Sequence, residues 1–189
     1  DAYYRRWMHE LPPMIHRTRD RMIDVHRTIL PLTAKVAPDA SALIADAVEL
    51  SDGVAILSPE DRVCHAVAHL LADGDLSGGL RNLWDIRCLM NDVDNISDLE
   101  KRAALHGLSN QLSRARRLVC ALFGEKTRLP PRIADRIFAV RLLSRDGWGR
   151  DSRKWLGFAF YIRSHFLRMP PLMLARHLWT KWSRGYRPG

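Results

Sequence analysis

Ile23-Asp24-Val25-His26 sets a carboxylate and an imidazole two residues apart. On a β-strand such residues share a face, so Asp24 and His26 project together while Ile23 and Val25 pack behind them. A carboxylate beside an imidazole can hold a metal or move a proton. The plainer alternative is a solvated polar face. A second constellation is His65-Ala66-Val67-Ala68-His69, whose histidines stand at i and i+4. On a helix they face the same way and can chelate one metal, with Asp85 on the next helix as third ligand or hydrogen-bond partner. The spacing lacks the glutamate of the zinc-protease pattern HExxH, so no general base is built in. Its alternative is a helix in which one histidine is buried and bonded to Asp85 and the other sits at the rim. Asp92-Val93-Asp94 and Asp73-Gly74-Asp75 also pair carboxylates. Two aspartates two apart clamp magnesium when a strand aligns them, but both runs read as loops, where capping and solvation account for them.

The last third carries another kind of chemistry. Trp148, Trp155, Trp179 and Trp182 interleave with arginines. Aromatic and cationic groups together suit a polyanion, through stacking and phosphate contacts, or an anionic membrane surface. The alternative is an amphipathic helix pair docked on the core with its arginines reaching outward. Residues 128–189 hold 14 Arg/Lys against 3 Asp/Glu, a net of +11, whereas residues 1–127 hold 16 against 18, a net of −2. The net charge of +9 therefore belongs to the C-terminal part.

The elements that must position these residues are mostly helices. Residues 1–11 read as a helix end, closed by Pro12-Pro13. Met14-Ile15-His16 reads as extended, Thr18-Arg19-Asp20-Arg21 as a polar turn, and Met22 to Ile29 as a strand by its alternation and β-branched content. Together they predict a hairpin. Everything after Pro31 reads helical, starting with a short helix over 39–50. Ser58-Pro59-Glu60-Asp61 is a helix start: the Ser58 hydroxyl can cap the Asp61 amide, proline fits the first turn, and the acids complement the dipole. That helix should reach Ala72. Leu80 to Met90 follows, with Leu80, Leu83, Trp84 and Cys88 on one stripe. Further helices are expected from Ser97 to His106, Ser109 to Phe123, Leu129 to Leu143, near 151–168 and over 171–182. The fold class is thus α+β, predominantly α-helical: an N-terminal β-hairpin followed by a helical bundle. The divisions fall at 1–31, 32–127 and 128–189.

An apolar fraction of 47% and a charged fraction of 27% are those of a globular chain with a core, not of a disordered one. Glycine patterns for dinucleotides, P-loops and serine hydrolases are absent from the sequence. Cys64, Cys88 and Cys120 are too few and too widely spaced for a disulfide framework. They read as buried free thiols in a reducing, cytoplasmic compartment. The longest apolar run, Trp155 to Ile162, falls far short of the ~20 residues that cross a bilayer, which leaves peripheral membrane attachment open.

One ordered series goes further. His9-Glu10-Leu11-Pro12-Pro13 precedes Met22-Ile23-Asp24-Val25-His26, then Leu57-Ser58-Pro59-Glu60-Asp61, the helix with His65 and His69, and Leu83-Trp84-Asp85-Ile86. Over about residues 5–125 this resembles the distal part of the uncharacterised nucleotidyltransferase family of the polymerase-beta-type superfamily. The resemblance implies Mg²⁺ and a nucleoside triphosphate as cofactor and substrate, and nucleotidyl transfer to an unknown acceptor. In that plan two carboxylates of a D-x-D strand and a third on a neighbouring strand hold magnesium. Asp24 is similar to that third carboxylate, and so a magnesium ligand and catalytic residue, and His26 to the histidine that follows it. Residues 1–31 would then end the nucleotidyltransferase core, 32–127 would be a helical domain, and 128–189 a basic, Trp-rich extension. The family's Gly-Ser element and D-x-D pair are not found in these 189 residues, and Asp92-Val93-Asp94 is misplaced to substitute. The expectation is that the chain alone is inactive and that the missing half lies upstream in a longer parent enzyme. A non-catalytic helical module binding through its basic surface is the alternative.

Overall fold

The computed structural model describes residues 10–12 and 14–183, with only the backbone for 177, 178 and 180–182. The expected helix end over 1–9, His9, Pro13 and the Trp182 side chain lie outside the described residues.

The protein is α+β and predominantly α-helical: 56% helix, with two small two-stranded sheets. The first sheet is the expected hairpin. Strands β1 (Met14–Ile15) and β2 (Met22–Ile23) pair antiparallel, with Met14 opposite Ile23 and Ile15 opposite Met22. Its turn is built by His16, whose Nδ1 accepts from the Thr18 and Arg19 amides at 3.3 Å each. The strand ends sooner than its alternation suggested. Beyond Ile23 the described residues continue the pairing as the Glu10–His26 bridge and the Leu11 amide donating to the Val25 carbonyl at 2.9 Å. Glu10 is thus in a bridge rather than a helix.

Helix α1 (Ala40–Ala45) is capped by Asp39, which accepts from the Ala42 amide. It is shorter than expected, because a second hairpin follows. Strands β3 (Val48–Glu49) and β4 (Ala55–Ile56) pair through a tight turn in which Asp52 and Gly53 both take positive φ, +74° and +72°. The loop is the three residues Ser51, Asp52 and Gly53, and Asp-Gly suits it because glycine takes left-handed backbone at no steric cost and aspartate tolerates it. The expectation of continuous helix after Pro31 is corrected there.

The centre of the body is α2 (Pro59–Val67), which runs on as a π-helical turn over Ala68–Asp73. Ser58 caps it as expected, its hydroxyl accepting from the Asp61 amide at 3.2 Å. The buried positions Val63, Cys64, Val67, Ala68, Leu70 and Leu71 face α3 (Gly79–Met90), α4 (Ile96–Leu105) and α5 (Ser109–Phe123). In α3 the buried stripe is Gly79, Leu83 and Ile86. The expected stripe is corrected, since Trp84 and Cys88 are exposed and Leu80 is half-buried. The cap of α4 is Asn95, which accepts from the Ser97 amide, rather than Ser97 itself. Gly107 and Gly124, at φ +67° and +77°, end α4 and α5 as expected. Helix α6 (Ile133–Leu142) packs on α5, and α7 (Lys154–Arg168) packs on the π-helical turn and leads into α8 (Pro171–Ser183). One apolar cluster runs from Ile29 and Leu30 through α2–α5 to Phe138, Leu142, Leu156 and Phe160.

Candidate functional site

The open end of the first hairpin carries Asp24 and His26, both exposed. The His26 Nε2 stands 3.5 Å from the Glu10 carboxylate, its partner across the bridge. Glu10 is therefore a site residue that sequence reasoning passed over. Its signal was only its place in the motif, since the pairing that brings it to His26 skips across the Pro12-Pro13 segment.

His65 and His69 meet on α2 and its π-helical continuation, with ring centroids 4.5 Å apart and planes at 65°. Both imidazoles are held below the ordinary histidine range. For His65 the causes are removal from water, then His69, then His26. For His69 removal from water again comes first; Asp73 pushes the other way, and His26 adds to the lowering.

Asp85 is exposed on α3, and the structure does not complete the expected set of His65, His69 and Asp85. Among the described residues no three His, Cys, Asp or Glu side chains are grouped to hold a metal ion. The reason is directional: α3 turns Leu83 and Ile86 toward α2, and Asp85 lies between them on the outer side. The donor chemistry also separates the two halves. Asp24 offers the hard oxygen that magnesium prefers, and the imidazoles do not. Asp24 thus offers an exposed oxygen donor of the kind magnesium takes, but the described residues assemble no full ligand set around it.

Asp92, Asp94 and Asp75 sit in loops as expected, whereas Asp73 is the last residue of the π-helical turn. Asp73 accepts from Arg168 Nε at 2.5 Å, Asp75 accepts from the Ser77 amide at 2.8 Å, and Asp92 pairs with Arg62 at 3.4 Å. The cysteines are all free, but only Cys64 is buried; Cys88 is exposed because α3 turns it outward, and Cys120 is intermediate. A cavity of about 520 Å³ between α5 and α6, edged by Arg132 and Arg136, shares no lining residue with the histidines.

A buried ionic cluster was not foreseen. Asp61 and His106 are fully buried. The Asp61 carboxylate accepts from Arg102 Nε and Nη2, both at 2.6 Å, and meets His106 Nε2 at 2.9 Å. The His106 Nδ1 accepts from the Asp39 amide at 3.2 Å, which places the ring proton on Nε2, donating to Asp61. Arg102 also donates to the Ala42 carbonyl at 2.7 Å and pairs with Asp46 at 2.5 Å. This cluster bolts α1 and α4 to the start of α2, the helix that carries the histidines.

The C-terminal helices dock on the body as the plainer reading expected, but their arginines do not all reach outward. Arg163 donates to the Leu71 and Gly74 carbonyls at 2.7 and 3.2 Å and lies over the Phe138 and Phe160 rings. Those carbonyls end the π-helical turn, so α7 caps the element that holds His69. No described helix is long and apolar enough to cross a membrane.

No curated protein and no solved structure matches the chain. A family model described as uncharacterised nucleotidyltransferase matches residues 1–124, which span both the Asp24–His26 segment and the His65–His69 helix. The chain therefore belongs to that nucleotidyltransferase family.

Proposed function

We propose that this chain forms the distal part of a magnesium-dependent nucleotidyltransferase, with the open end of the first hairpin facing a nucleoside triphosphate. The observation that supports this most is the family match over residues 1–124, because it covers both the Asp24–His26 segment and the helix with His65 and His69. Asp24 offers an exposed carboxylate to a magnesium ion. When bound, that ion would supply charge neutralisation at the phosphates. His26, paired with Glu10, is placed to accept or relay a proton at Nε2. His65 and His69, held neutral by their surroundings, would form the helix-side wall of the site and accept or donate hydrogen bonds without adding charge. Residues 32–127 would serve as scaffold or substrate-side domain, and the acceptor is unspecified by these residues.

The test uses the natural protein that carries this chain, with release of pyrophosphate measured for each nucleoside triphosphate and Mg²⁺. Asp24→Ala should lower turnover on the order of 100-fold or more, as loss of a metal ligand costs several kcal/mol of transition-state stabilisation. His26→Gln should lower it less than Asp24→Ala does. Full activity in Asp24→Ala would remove Asp24 from the site.

A further inference from the structure

Helix α7 is apolar on the face it buries and also on the face it shows to water. Leu156, Phe160 and Ser164 are buried. On the opposite side Trp155, Phe158, Ile162 and Phe166 follow one another at helical spacing, and Trp155 and Phe158 are 71% and 64% exposed. Tyr161 is exposed beside them, Trp148 in the preceding loop is 86% exposed, and Leu172 and Trp179 of α8 add 85% and 67%. Scattered exposed apolar residues need no explanation, but a contiguous aromatic stripe of this extent marks a surface that something covers.

The charge around the stripe limits what that can be. From Ser152 to Gly189 there is no Asp or Glu, and there are eight Lys/Arg. A second copy meeting this face symmetrically would bring like charges together. A polyanion needs guanidiniums on the face itself. Instead, nothing charged lies between Lys154 and Arg163, Arg163 is turned inward to the Leu71 and Gly74 carbonyls, and Arg168 pairs with Asp73. An aromatic face that begins beside the exposed Arg153 and Lys154, in a stretch without a single acid, matches a bilayer interface, where rings sit at headgroup level and Lys/Arg meet anionic lipid. The helix has 15 residues, which makes it about 22 Å long, too short for a ~30 Å hydrocarbon core. It suits lying in the surface.

We propose that the outer face of α7, flanked by the Trp148 loop and α8, docks this protein on an anionic lipid surface. The test is flotation of the full protein with vesicles of phosphatidylcholine alone and of phosphatidylcholine with added phosphatidylglycerol. It is read beside quenching of tryptophan emission by brominated lipid. Binding to the anionic vesicles only, weakening with salt, with quenching, is the expected result. Phe158→Ser with Ile162→Ser should weaken it about ten-fold or more with an unchanged circular dichroism spectrum, since both side chains face water. Quenching in the unsubstituted protein decides the matter if that variant fails to fold. Absence of binding to either vesicle overturns the proposal, as does binding to heparin or RNA but not to vesicles. A solution dimer that the double substitution turns into monomer also overturns it, and assigns the face to a second copy.

Discussion

Asp61 shows how a single residue can be read correctly in place and wrongly in weight. Its position in the first turn of a helix marks it as an acid that complements the dipole, and the Ser58 cap three residues before it is fully visible in the chain. What the chain does not reveal is that Arg102 and His106, 41 and 45 residues on, converge on it and exclude water. Removing one partner from a buried ionic cluster leaves the others uncompensated, so Asp61→Asn should destabilise by about 3–5 kcal/mol in urea unfolding. Burial alone would raise the Asp61 carboxyl, but the hydrogen bonds from Arg102 and His106 and the charge of Arg102 outweigh it and hold the carboxyl below its usual 3.8. A folded value below the unfolded one means that this stabilisation is present above pH 3.8 and is lost as pH falls through the folded value. The urea midpoint should therefore drop less below about pH 4 in Asp61→Asn than in the unsubstituted protein. An equal drop in both would show that the cluster does not carry the acid response. Cysteine reactivity offers a second check at this scale. Burial, with Asp61 and Glu60 adding to it and Arg102 opposing, pushes the Cys64 thiol up to about 12, while Cys88 is exposed. Iodoacetamide at neutral pH should label Cys88 and leave Cys64 unmodified until the protein unfolds, because the thiolate is the reacting form. Mass mapping that found Cys64 labelled in the native protein would contradict the burial.

At the scale of elements, the helices were legible because caps and glycine stops are local. Ser109 to Phe123 ends at Gly124 in sequence and structure alike. The second hairpin was not anticipated, although Asp52-Gly53 is its turn signal. Its strands are two residues each, too short for alternation to stand out against the helical pattern around them. The π-helical turn over Ala68–Asp73 leaves no periodic trace either, yet it sets where His69 points relative to His65. It ends at Gly74, and the reason for glycine is close approach rather than backbone angle. A Cβ there would meet the His69 carbonyl oxygen at 2.9 Å and that of Leu70 at 3.3 Å. Backbone atoms cannot swing aside, so Gly74→Ala should destabilise by about 1–3 kcal/mol. Because the atom it strikes belongs to His69, the His65–His69 ring geometry should change too, seen as shifted imidazole resonances in NMR. Unchanged stability and spectra would mean that the turn is more compliant than its packing implies.

Over the whole molecule, the distribution of charge and the distribution of contacts divide the chain differently. The change of sequence character near residue 128 separates a nearly neutral part from a strongly basic one. Packing joins them: Leu156 and Phe160 of α7 belong to the same apolar cluster as Val67 and Leu71, and Phe138 and Phe160 stack edge to face at 5.1 Å. Polar ties add to this, since Arg163 holds the Leu71 and Gly74 carbonyls, Thr33 Oγ1 donates to the Arg168 carbonyl at 2.6 Å, and the Lys35 amide donates to that of Leu167 at 3.0 Å. The family match ends at residue 124, so the basic helices lie outside it while completing the core within it. Burying two large apolar side chains contributes about 1.5–3 kcal/mol each, and uncapping buried carbonyls costs about 1–3 kcal/mol more. That sum is comparable with the ~5–15 kcal/mol by which a domain is stable at all. Removal of residues 146–189 should therefore abolish cooperative thermal unfolding rather than leave a folded core. Arg163→Met in the full chain should lower stability by about 1–3 kcal/mol without abolishing it. A sharp melting transition in the shortened protein, with native near-ultraviolet circular dichroism, would show instead that the basic helices are an appendage. Their loss would then test membrane docking cleanly.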